Sequence, residues 1–130
     1  YKRQDIQEMP ECRYVNFVGK LSWAQICREY LTADVFVLPS YSEGLAAAAV
    51  EAVSAGCPVI TTRCVGLDIS TGLDGLLVPP GDVQALGKAI LRLVQDRTLR
   101  DRLADGAYNL AERYTLDAWR HRLTAVLGGL

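Results

Sequence analysis

Long apolar runs, an excess of basic residues and paired metal-binding cysteines are all missing from this sequence of 130 residues. The longest apolar stretches are short and are broken by proline or glycine, so no transmembrane helix is predicted. Lys and Arg total 14 and Asp and Glu total 15, which gives a net charge of −1. This balance lacks the basic footprint of a nucleic-acid-binding protein. The sequence therefore argues against both a membrane span and a nucleic-acid partner.

The four cysteines, Cys12, Cys27, Cys57 and Cys64, form no C-x-x-C pair, and the single histidine, His121, is near none of them in sequence. This spacing argues against a zinc site and against a redox motif. Unpaired cysteines are typical of a reducing compartment, so we predict buried thiols and a cytoplasmic protein. We interpret His121, which lies between two arginines on a predicted helix, as a solvent-facing residue.

Half of the residues are apolar and 22% are charged, which is the composition of an ordinary folded domain. A chain of this length suits one domain, and we predict a single domain over residues 1–130. The sequence begins with Tyr1 and not with Met. We therefore expect a truncated domain that was cut from a longer protein or processed from a tagged one.

Apolar runs that predict strands alternate with patterns that predict helices. The predicted strands cover residues 14–18, 35–38, 58–61 and 76–78. Predicted helix starts are Ser22, about Leu45, Asp82 and Thr115, with one further amphipathic helix between the last two. The alternation predicts an α/β fold of Rossmann-like type, a three-layer α/β/α arrangement with a short parallel sheet and carboxyl-terminal helices.

In open parallel sheets, ligands bind beyond the carboxyl ends of the strands. The loop after Leu38 carries Glu43, and Glu51 follows on the next predicted helix, whose amino end offers unpaired N–H groups to a phosphate. If all eight steps between the two glutamates were helical, the rise would be roughly 12 Å. That is about the span from a hexose, across a diphosphate, to a ribose. Carboxylates accept hydrogen bonds from hydroxyl groups, so one could hold the sugar and the other the ribose.

Two other interpretations stay open on the residues alone. Ser40-x-x-Glu43 matches a capping box, which needs no ligand. Glu51 has the small residues Ala47 and Ala55 one turn away on either side, so its side chain could simply face solvent.

The residues around this helix form a joint pattern. Pro39-Ser40, Glu43-Gly44, Glu51-Ala52 and Gly56-x-Pro58-Val59-Ile60 follow one another, with Gly75 to Asp82 (GLLVPPGD) downstream. This pattern resembles the group-1 family of retaining, GT-B-type glycosyltransferases, over roughly residues 14–125. The resemblance implies part of the carboxyl-terminal, donor-binding domain of a GT-B enzyme.

The resemblance also implies hexosyl transfer with retention from a nucleotide-diphosphate sugar, without a cofactor or a metal. By position, Glu43, Gly44, Leu45 and Ala46 would bind the donor sugar, and Glu51 would bind the ribose of the nucleotide. Three further residues are candidate contacts by position: Ser40, Gly19 and Asp68.

Three features depart from the family pattern. Four alanines occupy residues 46–49, where the family has Pro or Gly near position 46. The Arg and Lys that embrace the diphosphate in the family lie upstream of residue 15, and no matching motif is present here. The acceptor-binding amino-terminal domain is absent as well. We therefore expect the 130-residue chain alone to be inactive.

The resemblance further implies a gap in the sheet. In the family, two strands lie between the strand matching residues 14–18 and the strand matching residues 35–38. We expect the gap to be filled by strand rearrangement, by strand exchange in a homodimer, or by the missing amino-terminal part of a longer protein.

Two other functions remain as alternatives. One is a non-catalytic nucleotide-binding or assembly module with a degenerate site, which the alanines at 46–49 and the missing basic residues favour. The other is a sugar-nucleotide epimerase, which ranks lower because the context of Glu43 and Glu51 is closer to that of the transferases.

Overall fold

A computed structural model describes residues 9–128 of the chain. Three strands and five α-helices lie within this range: α1 Trp23–Thr32, β1 Phe36–Leu38, α2 Ala47–Ser54, β2 Val59–Thr61, β3 Leu76–Leu77, α3 Val83–Gln95, α4 Arg97–Ala111 and α5 Leu116–Leu127. Short 3₁₀ turns cover Pro10–Cys12, Arg63–Val65 and Glu112–Tyr114. The order of strands and helices after residue 20 is the predicted one.

The three strands form one parallel sheet in the order β1-β2-β3. Phe36 pairs with Val59, and Ile60 pairs with Leu76. Uninterrupted apolar runs are typical of parallel strands that are covered on both faces, and the central strand β2 is fully buried. Each of the three strands is one residue shorter than its predicted run.

Adjacent residues of β2 point to opposite faces of the sheet and divide the core into two clusters. Val59 belongs to the first cluster, with Ala52 and Val53 of α2. Ile60 belongs to the second, with Leu93 of α3. The helix α4 packs against both, because its first half supplies buried residues to the second cluster and its second half to the first. Helices thus cover both faces of the sheet, which confirms the predicted three-layer α/β/α architecture.

Four of the five described helices begin with a polar residue that closes the first turn by a hydrogen bond. In α3, for example, Asp82 Oδ1 accepts from the N–H of Ala85 at 2.8 Å. The four residues are Ser22, Asp82, Asp96 and Thr115. The exception is α2, which follows Ala46 and has no side chain that accepts from its first N–H groups. This exception lies at the predicted site.

The strand predicted over residues 14–18 is wrong. These residues have no regular structure, and the side chain of Tyr14 is 85% exposed. The N–H of Val15 donates to the carbonyl of Cys12, which is a local turn contact. An apolar pattern supplies side chains for one face of a strand, but a strand also needs a neighbouring chain for its hydrogen bonds. None of the described residues provides that neighbour, and the outer edge of β1 stays unpaired within residues 9–128.

The last helix, α5, is also less buried than its apolar spacing predicts. It begins after Thr115 as expected, but Trp119, Leu123 and Val126 are all exposed. No other described element covers this face. None of the helices within residues 9–128 has both the length and the apolar character needed to cross a membrane.

Candidate functional site

The carboxyl ends of the three strands lie at one edge of the sheet, because the strands are parallel. The loop after β1, residues 39–46, contacts the loops that follow the other two strands. Its Tyr41 covers Gly81, since a Cβ built on Gly81 would lie 2.8 Å from the Tyr41 hydroxyl oxygen. The edge at which such folds bind ligands is therefore formed by three contacting loops.

Two threonine hydroxyls at the end of β2 fix the start of the loop after β1. Thr61 Oγ1 donates to the carbonyl oxygen of Leu38 at 2.9 Å, and Thr62 Oγ1 donates to that of Ser40 at 2.6 Å. Both threonines are buried. A buried hydroxyl that lost its partner would be costly, so these contacts hold the backbone of residues 38–40 in one conformation.

The end of the same loop is fixed by backbone hydrogen bonds. The N–H of Glu43 donates to the carbonyl of Cys64 at 3.0 Å, and the N–H of Ala46 donates to that of Val65 at 3.2 Å. These bonds hold residues 43–46 against the turn after β2. The backbone of Ala46 is extended, with ψ 108°, so α2 begins at Ala47, two residues later than predicted.

Gly66 packs directly against the same loop. It has a left-handed backbone with φ 76°, and a Cβ at this position would collide with the Gly44 carbonyl oxygen and approach the Cα of Leu45 to 3.2 Å. Only glycine satisfies both conditions without strain. At Gly44 itself, a Cβ would meet nothing within 4 Å, so the space above Gly44 is open to a ligand.

The amino end of α2 lies immediately after this fixed loop. The N–H groups of Ala47 and Ala48 donate to no residue of the described range, and Ala46 provides no capping side chain. Unpaired N–H groups at the positive end of a helix dipole attract anions. The structure therefore presents an unsatisfied helix amino end at the edge of the sheet.

The capping box that Ser40 and Glu43 could form is wrong. Ser40 Oγ does donate to Glu43 Oε1, at 3.4 Å, but both residues lie in the loop before the helix. Only the last four of the eight steps from Glu43 to Glu51 are helical, so the separation expected of a continuous helix does not apply. Glu43 is exposed, and its carboxylate is accessible beside Gly44.

Glu51 does not simply face solvent. It is half-buried, and its Oε2 accepts a hydrogen bond from the hydroxyl of Tyr30 at 3.0 Å. The Tyr30 ring meets the ring of Phe36 edge to face, with centroids 5.7 Å apart. Oε1 of Glu51 receives no hydrogen bond from residues 9–128 and is free to accept one from a ligand.

The environment of Tyr30 keeps its hydroxyl protonated. Burial, followed by the hydrogen bond and the negative charge of Glu51, raises the pKa of Tyr30 to about 12. At neutral pH the phenol is therefore a permanent donor to the carboxylate. A groove of about 420 Å³ lies beside this pair, between α1 and α2, and Trp23 and Val50 supply apolar parts of its lining.

Asp68 and Gly19 are placed differently from the other candidates. Asp68 forms an ion pair with Arg113, with Oδ2 and Nη2 2.6 Å apart, and its N–H donates to the hydroxyl of Tyr114. These contacts tie the loop after β2 to the turn before α5. Gly19 has φ 75° and lies exposed in the irregular segment before α1. No hydrogen bond among the described residues connects it to the loop after β1.

Sequence reasoning missed the residues that support the glutamates, namely Tyr30, Thr61, Thr62 and Gly66. A signal existed for the first three. Tyr30 occupies an inward position of a helix where phenylalanine would fill the space, so its hydroxyl requires a partner. The two threonines end an apolar strand, and buried hydroxyls are almost always hydrogen-bonded. Gly66 carries no such signal, because its need for glycine arises from a contact 22 residues away along the chain.

The chain matches the family model described as "Glycosyl transferases group 1" over residues 2–96. It is 32% identical over 129 residues to sulfoquinovosyl transferase SQD2 of Arabidopsis thaliana, a match that covers 95% of this chain and 25% of that protein. The chain therefore belongs to the group-1 glycosyltransferases, as the sequence pattern predicts. It spans about a quarter of the length of this curated relative.

Solved structures support the same assignment. The carboxyl-terminal domain of the group-1 glycosyl transferase LpcC from Francisella tularensis superposes with a TM-score of 0.71 at 29% identity, covering 77% of this chain and 53% of that domain. Sucrose-phosphate synthase from Thermosynechococcus elongatus superposes with a TM-score of 0.74 at 30% identity, covering 88% of this chain and 30% of that enzyme. The fold is thus that of a GT-B carboxyl-terminal domain, in agreement with the prediction.

Proposed function

We propose that this chain binds the nucleotide-diphosphate sugar donor of a retaining glycosyltransferase, at the surface formed by residues 39–51. The observation that carries the proposal is the uncapped amino end of α2, where the N–H groups of Ala47 and Ala48 are free. The two glutamates lie on either side of it in sequence. Membership of the group-1 family supports a nucleotide sugar as the ligand.

Each residue of the surface has a role in this proposal. Glu43 accepts hydrogen bonds from hydroxyl groups of the donor sugar, and Gly44, Leu45 and Ala46 form the surface beside the sugar and diphosphate. Glu51 accepts from the ribose. Ser40 acts on Glu43, because its hydroxyl donates to that carboxylate.

Asp68 has a supporting role, because its ion pair with Arg113 holds the loop after β2 in place. Gly19 stays a prediction that no contact supports.

The chemistry that this surface offers is electrostatic. When the bond between the sugar and the diphosphate breaks, negative charge grows on the leaving diphosphate. Fixed N–H donors at a helix amino end stabilise such charge without reorganising, and the hydrogen bonds from the turn after β2 keep them fixed. We propose that the donor binds without a metal or another cofactor, since a helix dipole and N–H groups can hold a diphosphate.

Calorimetric titration with UDP-, GDP- and ADP-sugars tests the proposal. We expect Glu51→Gln to weaken binding of the preferred donor about tenfold, because hydrogen bonds to charged groups are worth about 1.5–3 kcal/mol. Glu43→Gln should weaken binding of the nucleotide sugar but not of the free nucleoside diphosphate. Glu112→Gln, at an exposed position outside this surface, is the matched control. Equal affinity of wild type and Glu51→Gln would contradict the ribose assignment.

Compartment and partners belong to the same proposal. The four cysteines are unpaired, which supports a reducing, cytoplasmic location. The unpaired edge of β1 supports a partner strand, which either the rest of a longer enzyme or a second copy of this chain would supply. Sedimentation over a wide concentration range distinguishes the two sources, because strand exchange between copies requires a dimer.

A second candidate is a module that binds nucleotide without turning over a donor. The observation that favours it is the absence of any Lys or Arg within ion-pair distance of Glu43 or Glu51 among residues 9–128. Neither carboxylate of the surface therefore has a paired positive side chain that would offset its charge beside a diphosphate. Release of free sugar or nucleoside diphosphate from a donor by this chain would rule the candidate out.

A further inference from the structure

We propose that Tyr30 is a positioning residue that orients the Glu51 carboxylate toward the ribose of a bound nucleotide. The inference rests on the proposed function, since it assigns a partner to the residue that would read the ribose. It concerns α1, an element that contributes no other residue to the proposed surface.

Two contacts connect the sheet to the carboxylate of Glu51. Phe36 of β1 fixes the ring of Tyr30 edge to face, with an interplanar angle of 68°. Tyr30 then donates to Glu51 Oε2 from 21 residues away along the chain. The ring has few torsions to adjust, so the position of the sheet determines the position of the hydroxyl. The hydroxyl in turn selects one orientation of the carboxylate.

A glutamate without such a partner has a mobile carboxylate. The groove between α1 and α2 that Glu51 lines is mostly apolar, and its Ser54 hydroxyl donates to the Val50 carbonyl. Of the groove's side chains, Tyr30 is the one hydrogen-bonded to Glu51 within residues 9–128. Ordering a mobile side chain on binding costs free energy, and a side chain held in its bound orientation avoids that cost. The Tyr30 hydroxyl occupies Oε2 and leaves Oε1 for the ribose, which has two neighbouring hydroxyl groups to donate.

A purely structural role is the competing explanation, because the same hydrogen bond joins α1 to α2. The two explanations differ in which ligands they affect. A structural tie would weaken every nucleotide equally when it is lost. A positioning contact would weaken only ligands that carry ribose hydroxyl groups.

The experiment compares UDP, GDP and ADP with their 2′,3′-dideoxy counterparts by calorimetry, on wild type and on Tyr30→Phe. Phenylalanine keeps the ring and its contact with Phe36 and removes only the donor. We expect Tyr30→Phe to lower the preference for ribose over dideoxyribose about fivefold, on the scale of one ordinary hydrogen bond. Affinity for the dideoxy nucleotide should stay unchanged, which also shows that the variant is folded. Tyr108→Phe, at a 61% exposed tyrosine of α4, is the matched control and should bind like wild type.

The remaining outcomes separate this inference from the proposed function. The double variant Tyr30→Phe with Glu51→Gln should prefer ribose over dideoxyribose by no less than Glu51→Gln alone does. If Glu51→Gln loses the ribose preference and Tyr30→Phe retains it, the positioning role is wrong and the proposed function stands. Equal weakening of both ligand types by Tyr30→Phe also overturns the positioning role. If wild type binds none of the three nucleoside diphosphates, the proposed function fails and the inference fails with it.

Discussion

Residues 9–34 and residues 46–110 carry similar apolar patterns, but only the second region forms a core. Every buried residue of the described chain lies between Ala46 and Leu110. In the first region, α1 has no buried residue, and Trp23 is 63% exposed. An apolar pattern thus shows that a segment has a face suited to packing. Whether that face is buried depends on a neighbouring surface, which the pattern does not reveal.

Three polar contacts attach the first region to the core, together with the ring of Tyr30, which packs against the first core cluster. The Tyr30 hydroxyl donates to Glu51, Arg100 lies 3.7 Å from Asp34, and the thiol of Cys57 donates to the carbonyl of Ala33 at 3.6 Å. Burial raises the pKa of the Cys57 thiol, which keeps it protonated as a donor. Apart from the Tyr30 ring, these contacts involve a few polar atoms, and no residue of α1 is fully buried.

The largest expected effect tests whether the two regions differ in burial energy. Leu103 is fully buried and Leu31 is 71% exposed. We expect Leu103→Ala to lower the free energy of unfolding by about 2–5 kcal/mol, and Leu31→Ala to change it by less than about 0.5 kcal/mol. Urea unfolding followed by circular dichroism measures both. A comparable loss in the two variants would mean that another surface covers α1 in solution.

An intermediate effect tests the packing of the loop after β1. Gly66 and Gly72 both have a positive φ, but a Cβ meets the Gly44 backbone at the first position and nothing within 4 Å at the second. Gly72→Ala should cost about 1–2 kcal/mol for the left-handed backbone alone. Gly66→Ala should cost about 1–3 kcal/mol more, from overpacking, and should also weaken nucleotide binding. Thermal unfolding and the donor titration measure the two effects. Equal losses of stability would show that the loop moves away from residue 66 without cost.

The smallest effect concerns the attachment of α1 in alkaline solution. The pKa of Tyr30 is raised from 10.0 to about 12 in the folded chain, so the fold favours the protonated phenol. The stability from this shift is fully present below about pH 10 and is lost as the pH rises through about 12. We therefore expect Tyr30→Phe to lose less stability than Tyr108→Phe between these pH values, with unfolding followed in urea. Parallel losses would mean that the Tyr30 hydroxyl is not held in solution.

The sequence predicts the sheet and the helix starts well where local chemistry decides them. Asp82 and Thr115 cap their helices as their side chains predict, and the run from Val59 to Thr61 is buried because it has no polar alternation. The unpredicted features depend on long-range contacts. Ala46 is extended where the sequence predicts helix, and its N–H pairs with Val65. No local signal encodes that pairing. Residues 14–18 have the pattern of a strand, but the pattern cannot supply a neighbour.

The candidate site also has some features that the sequence predicts and others that it does not. Glu43 and Glu51 are predicted by their place in a family pattern, and the structure gives Glu51 a partner on another helix. The carboxylate of Glu43 is exposed beside the open space above Gly44, where a ligand can reach it. The supporting residues Thr61, Thr62 and Gly66 act on backbone atoms, which a pattern of side chains does not represent.

The two threonine hydroxyls at the end of β2 have a consequence for the order of folding. Thr62 lies 22 residues beyond the Ser40 carbonyl that it fixes, and the two meet only after β1 and β2 have paired in register. We therefore expect the loop with Glu43 to gain its shape together with this long-range pairing, which is slower than the formation of local turns. We expect this part of the ligand-binding edge to form with the pairing of β1 and β2, before β3 joins the sheet in a growing chain.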